Sequence, residues 1–418
     1  MQVIRNSTIY LGSSIVNKAI PFILLPLLTE YLSPSEYGLV SIFQILISLF
    51  TAVVGMAINT NVSKNFYAYS HLKMAISIGN MLRVLMFSFL FVFITTYIAS
   101  IFFDEIFSLP KNWLRAIPFL SVLFMINGIN LTVLRMKGEA ITFGIFEISN
   151  TLVNLGLSVI LLIQFNYGWE SRAIGITFAY FLFALLALKV LANKRYLKFT
   201  YDAQETRAIL KLSLPLVPHA LGGIVIAVSD RLFIEKMVDL KTVGIYTVGY
   251  MFGMIVMLFT EAFVKAWNPW FFRTLNNPTS EKKVQIVRYT YIYLAVVLLL
   301  VILVTVMGKL VLPYFVDAEY LEASMYIFWV ALGYFFFGAY QIFFPYLVVM
   351  GRTSFLAVST VLSAVINLIL NYFLIRHYGA IGAAYATIVA YFISSLLVFL
   401  YQKKHYEMPW FVRSKTTT

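Results

Sequence analysis

Residues 212–272 read LSLPLVPHALGGIVIAVSDRLFIEKMVDLKTVGIYTVGYMFGMIVMLFTEAFVKAWNPWFF. The stretch is two apolar runs, each of membrane-crossing length, joined by a short turn. It carries four charges in or close to the hydrocarbon: Asp230 and Arg231 near the end of the first run, Glu261 and Lys265 near the end of the second. A charge at the bilayer centre costs at least a few kcal/mol, so such residues face a bundle interior or an aqueous cavity. A plain anchor needs none of them; a translocation pathway does.

The same pattern extends in both directions. Of 418 residues, 61% are hydrophobic and 12% charged, with a mean hydropathy of +0.86, which excludes a water-soluble globule. About twelve runs of span length lie near 9–29, 38–60, 76–102, 115–134, 139–163, 173–192, 213–236, 243–265, 287–308, 323–344, 355–375 and 381–401. Runs this long predict helices, because a membrane barrel shows short alternating strands. The expected fold class is an all-α integral membrane protein of about 12 transmembrane helices. The chain has no cysteine, which excludes disulfides, thiolate catalysis and thiolate metal sites, and His71, His219, His377 and His405 are too scattered for a metal cluster. No cofactor, metal or catalytic residue is expected.

The net charge of +13 fits topology better than nucleic acid. Leaving out Lys18, Arg83, Lys189, Arg231 and Lys265 and counting the run-end residues Arg115, Lys236 and Arg288 with their loops, the other 26 of the 31 Lys and Arg divide as 19 inside and 7 outside with a cytoplasmic N-terminus. That is the positive-inside bias, and it places both termini in the cytoplasm. Arg5 precedes the first run, Lys18 interrupts it and no small-residue cleavage site follows, so it reads as a retained span.

Lys18 stands about 15 Å along the helix from either end of its run, farther than a lysine stem can snorkel. With Asn17 it is a candidate for an internal cavity. Arg83, two turns into the third run, is close enough to the inner face to snorkel or to serve the cavity. Asn127, Asn130, Asn150 and Asn154 read as interhelical packing amides. Glu147 is a cavity group or half of an ion pair. Glu261 and Lys265 have the spacing of an i,i+4 pair. The basic stretch 193–211 reads as a cytoplasmic linker whose charges are solvated or meet anionic lipid.

The two halves match. Gly38-Leu39-Val40-Ser41 is echoed by Gly244-Ile245-Tyr246-Thr247, the stretch Gly138 to Asn154 by Gly351 to Asn367, and Ala173-Ile174-Gly175 by Ala380-Ile381-Gly382. Six spans per half make the repeat parallel, with a pseudo-twofold axis along the membrane normal and a binding site expected between lobes. The expected organisation is an N-terminal six-helix lobe (1–192), a linker (193–211), a C-terminal six-helix lobe (212–401) and a cytoplasmic tail (402–418).

Asp230-Arg231-Leu232, Gly244-Ile245-Tyr246 and Ala266-Trp267-Asn268-Pro269, with Tyr31-Leu32-Ser33 and Glu36-Tyr37-Gly38 in the first half, resemble the lobe openings of polysaccharide exporters in the multidrug/oligosaccharidyl-lipid/polysaccharide superfamily. The resemblance, which covers essentially the whole chain, is to the bacterial O-antigen flippase type. It implies a V-shaped, two-lobed, non-enzymatic flippase in the bacterial plasma membrane. It would move undecaprenyl-pyrophosphate-linked oligosaccharide outward by ion-coupled alternating access. Membrane lipid, a coupling proton or sodium ion, and the polysaccharide polymerase and chain-length machinery are the implied partners; nucleic acid is not. Two departures stand out. Many multidrug relatives carry a carboxylate in the first span, where this chain has Asn17 and Lys18, and lipid II flippases have fourteen spans.

An anionic lipid pyrophosphate calls for lumenal cations. Lys18, Arg83, Arg231 and Lys265, with Asn17, are the substrate-binding candidates, and Asp230, Glu147 and Glu261 the ion-coupling ones. A multidrug exporter on this fold would prefer an acidic cavity. A membrane polymerase or glycosyltransferase would need a sizeable extramembrane loop, and a nucleotide-driven pump a phosphate loop that this chain lacks.

Overall fold

The computed structural model describes residues 2–103, 105–275 and 279–410. All twelve apolar runs fold as helix. The first is α1 (Gln2–Ile23) and α2 (Leu25–Tyr31), interrupted at Leu24 between Pro21 and Pro26. Each proline removes a backbone donor and crowds the preceding turn, which accounts for the break. There follow α3 (Pro34–Gly55), a short α4 (Asn59–Asn65), α5 (His71–Phe102), α6 (Lys111–Met136), α7 (Ala140–Phe165) and α8 (Glu170–Asn193). After the linker helix α9 (Ala203–Ser213) come α10 (Val217–Met237), α11 (Leu240–Gly253), α12 (Ile255–Leu275), α13 (Ser280–Phe315), α14 (Ser324–Val349), α15 (Thr353–Tyr378) and α16 (Ile381–His405). Between α5 and α6, Glu105–Ile106 pairs antiparallel with Leu109–Pro110, the one strand pairing among the described residues.

By length and composition, ten of these segments can cross a bilayer, α11 and α12 together making one; the count is eleven if the segments around α9 and α10, bent by 43°, form one span. Among the described residues that criterion thus finds ten or eleven spans, beside the twelve apolar runs of the sequence. The run that falls short is α1–α2, the one carrying Lys18. Arg413 and Lys415 of the expected tail lie outside the described residues.

The sequence repeat is built into the backbone. Helices α6 and α7 have 26 residues each, as do α14 and α15, displaced by 213 positions. The connecting turns coincide: Gly138 and Gly351 have φ of 74° and 68°. The amides of Glu139 and Arg352 reach back to the carbonyls of Leu134 and Leu347 at 3.0 and 2.9 Å. This left-handed exit is one that glycine adopts without strain. In the first half α6 packs on α3, α5 and α8, and α7 on α8. In the second, α14 packs on α12, α13 and α16, and α15 on α16.

By contacts the chain forms two compact units, Met1–Gly244 and Ile245–Thr418. This partition differs from lobes drawn at 193–211, because α10, beyond the linker, packs against α3 in the first unit. The first turns of α3 and α11 interlock through repeat-equivalent glycines. A Cβ on Gly38 would lie 2.3 Å from the Leu240 carbonyl oxygen, and one on Gly244 would lie 1.9 Å from that of Pro34.

Helices α5 and α13 turn apolar stripes outward. Phe87, Phe91, Ile94 and Ile98 on the one, and Leu299, Leu303, Val306 and Leu310 on the other, are exposed at helical spacing. Apolar faces of this extent fit contact with lipid.

Candidate functional site

In the first unit, α1 packs on α7, with the Tyr10 and Phe143 rings 5.1 Å apart and Ser13 against Gly144. Lys18 lies five residues beyond Ser13 and Glu147 three beyond Gly144. At 1.5 Å per residue both therefore sit at about the same level of one helix pair. Each is partly buried. Asn17 joins them with a buried side-chain oxygen that has no hydrogen-bond partner.

Farther along, α3, α4, α6, α7, α8 and α10 line a cavity of about 520 Å³. Gln44, Ser48, Thr51, Asn59 and Asn154 give it amide and hydroxyl groups. Phe124 and Tyr180, stacked at 3.5 Å, give it an aromatic wall. Thr51 Oγ1 is buried there without a partner. No charged side chain lines it among the described residues. Hydrogen-bonding amides beside an aromatic platform are suited to a neutral polar ligand such as a sugar.

A cation nevertheless stands directly behind the lining. Arg172, buried at the start of α8, donates from Nη1 to Asn154 Oδ1 at 3.1 Å and to Ser158 Oγ at 3.0 Å. Its Nε has no partner. Tyr37 on α3 is within electrostatic reach of both Arg172 and Arg231. Arg231 and Asp230 are themselves buried: the Arg231 amide donates to Asp230 Oδ1 at 2.8 Å, and the guanidinium Nη1 lies 3.8 Å from the same oxygen. Glu235, one turn on, is buried and accepts from Ser108 Oγ. Sequence reading missed Arg172 and Glu235. Arg172 stood one residue ahead of its apolar run and passed for a loop charge; only its burial reveals it.

Arg83 has a different setting. Its Nη2 donates to the Phe199 carbonyl at 2.5 Å, and its guanidinium lies 5.6 Å from the Tyr201 ring centre. The linker backbone packs on α5, while its basic side chains Arg195, Lys198, Arg207 and Lys211 stay exposed. Residues 196–202 form an extended strap along α5, held by Asn80 to Thr200 O (3.0 Å) and by the Asp202 amide to Asn80 (3.1 Å). Helix α9 then buries Glu205 against Ser77 Oγ (2.6 Å) and Tyr69 OH (3.2 Å). At its start Glu139 takes salt bridges from Lys194 and from Lys137 (2.9 Å). Burial pushes the Glu139 carboxyl up, but hydrogen bonds from both lysines outweigh it and hold the group below the usual carboxylate range.

In the second unit Glu261 and Lys265 stand one turn apart on α12, the first partly buried and the second exposed. The seven charged candidates are thus divided, five in the first unit and two in the second. Among the described residues no group of His, Asp and Glu could hold a metal ion.

The multi-pass helical fold matches those of solved membrane proteins. It superimposes on an inward-facing multidrug-resistance MATE transporter of the MOP superfamily with a TM-score of 0.75 at 14% identity, covering 93% of this chain and 97% of that one. Lipid II flippase MurJ, in an inward closed conformation, matches with a TM-score of 0.75 at 15% identity over 96% and 87%. The chain belongs to the polysaccharide biosynthesis protein family, whose model matches residues 3–275. Two relatives come from Haemophilus influenzae. The Lsg locus putative protein 1 is 26% identical over 284 residues, 66% of this chain and 67% of that one. An uncharacterized membrane protein is 24% identical over 398 residues, 94% and 92%.

Proposed function

We propose that this protein is a flippase for a polyprenyl-pyrophosphate-linked oligosaccharide, an O-antigen or related surface-polysaccharide unit, in the bacterial inner membrane. The observation that carries the reading is the cavity of the first unit: neutral amides and stacked rings for sugar, with the buried Arg172 bonded to a lining amide. The family match supports the polysaccharide side of the reading, and the shared fold with MurJ supports lipid-linked cargo. An acidic cavity, which a cationic drug would favour, is not what lines this site.

Two lobes, 1–192 and 212–401, would alternate access to the site with both termini cytoplasmic. Lys18, Arg231, Lys265 and Asn17 would serve the pyrophosphate. Arg83, bonded to the linker, fits a clamp better than a substrate ligand. Asp230, Glu147 and Glu261 are the candidates for a coupling proton or sodium ion. Normal gradient-driven transport by an Asp230→Asn protein in vesicles would remove Asp230 from that set. Polymerase and chain-length proteins would act on the exported unit. The deciding experiment deletes the gene and assays the membrane leaflets. Lipid-linked oligosaccharide should accumulate on the cytoplasmic leaflet; an unchanged distribution overturns the proposal.

A further inference from the structure

A second cavity, of about 420 Å³, lies between α12 and α13, wholly inside the second unit. Its walls are almost entirely apolar and aromatic: Phe263, Trp267, Trp270, Tyr289 and Tyr293 form a connected set. Phe263 stacks on Tyr293 at 4.4 Å, Trp267 lies 4.7 Å from Trp270, and Trp270 lies 5.6 Å from Tyr289. Among the polar groups of its rings, the Tyr293 hydroxyl donates to the Gly338 carbonyl at 3.3 Å, while the Trp267 indole N–H is buried without a partner. A buried donor left unmade is costly, so a ligand acceptor at that point is the economical explanation.

The slot has a charged end. On α12 the lining residues Phe259, Phe263, Trp267 and Trp270 follow helical spacing, and the next position on that face is Arg273. On α13 the lining residues Val296, Tyr293 and Tyr289 run back along one face through Gln285 to Lys282. Gln285 donates to the Tyr289 hydroxyl at 3.2 Å. Arg273 and Lys282 are both exposed. An aromatic trough with two cations at one end is complementary to an amphiphile with an anionic head and a long unsaturated chain.

We infer that this slot is a docking site for the lipid part of an anionic polyprenyl phosphate or pyrophosphate, separate from the amide-lined cavity of the first unit. The inference rests on the proposed function and assigns the lipid part of its substrate a location. In this docked state, before the pyrophosphate passes to the cations of the translocation path, the phosphate meets Arg273 and Lys282, the prenyl chain lies along the rings, and the Trp267 N–H takes an oxygen near the junction.

The test uses the full chain in an uncharged maltoside detergent, with undecaprenyl pyrophosphate as probe and native mass spectrometry as readout. Ala266→Phe fills the exposed wall of the slot, and the double variant Arg273→Gln/Lys282→Gln removes its cations. Each is expected to weaken binding about tenfold, the size of losing one charge-assisted contact or one apolar wall, with the thermal midpoint held within a few degrees of wild type. Dioleoylphosphatidylglycerol is expected to compete poorly. Wild-type affinity in both variants overturns the slot while leaving the flippase reading standing. Equal competition by phosphatidylglycerol makes the slot a general acyl-chain groove and overturns the polyprenyl assignment. Crosslinking from a photoreactive residue at position 266 to a second copy overturns it in favour of an interface. Failure of the wild-type protein to bind the probe at all overturns the slot and the substrate reading together.

Discussion

The helix pairs α7–α8 and α15–α16 share one design and differ in polar content. Asn154 and Asn367 stand sixteen residues after the turn glycines Gly138 and Gly351. Asn154 accepts from the buried guanidinium of Arg172 at 3.1 Å. Asn367 accepts from Asn371 at 3.1 Å and donates to Thr387 Oγ1 at 3.4 Å, and Ser394 donates to Ser363 at 2.6 Å beside it. A neutral network therefore suffices to join this pair of helices in an apolar medium, as interhelical amides generally do. The buried cation of α8 needs another reason, and the cavity next to it supplies one.

If the charges of the first unit serve transport and the neutral network of the second serves packing, substitutions should divide the same way. The largest effect is expected at Lys18: Lys18→Ala should abolish export with the protein still abundant in the membrane, and Lys18→Arg should retain part of the activity. Normal export by Lys18→Ala would break the comparison at its deepest charge. Next comes a paired measurement. Arg172→Gln should lower transport about tenfold, and Asn367→Ala should leave transport near wild type while removing about 1 kcal/mol of stability in a detergent melt. Equal transport losses in the two proteins would mean that both networks are structural.

A smaller effect is expected at the linker. Arg83→Ala removes the donor to the Phe199 carbonyl, so limited proteolysis should cleave the 198–202 strap several-fold faster while transport falls no more than about twofold. Unchanged cleavage would return Arg83 to the list of substrate ligands. The smallest effect is at Glu139. Its carboxyl pKa is depressed in the folded protein, so its contribution to stability is full above its unfolded value of about 4.3 and disappears as pH falls through the folded one. Being partly exposed, it should contribute under about 1 kcal/mol. Glu139→Gln should melt slightly below wild type at pH 7, and the gap should start to narrow near the unfolded value and close only once pH has fallen through the depressed folded one. A gap that persists in acid would assign the effect to packing.

The sequence alone determined the membrane class, the helical character of every span and the repeat, down to the turn at Gly138 and its copy at Gly351. It also excluded thiol chemistry. These properties are local: a run of apolar residues is bounded along the chain, and a left-handed turn needs its glycine wherever the chain goes next. Which charges meet what was decided by the tertiary structure. Lys18 and Glu147 are 129 positions apart and come to one level because α1 packs on α7. Arg83, expected at a cavity or a membrane surface, is bound to a carbonyl 116 residues away. Arg172, unnoticed at the edge of its run, is buried among the side chains of α7. The physical reason is common to all three. In a membrane protein the lipid-facing and protein-facing sides of a helix are both apolar, so the pattern along the chain does not report how each helix is turned about its axis. The turning fixes the partners, and packing between distant helices fixes the turning.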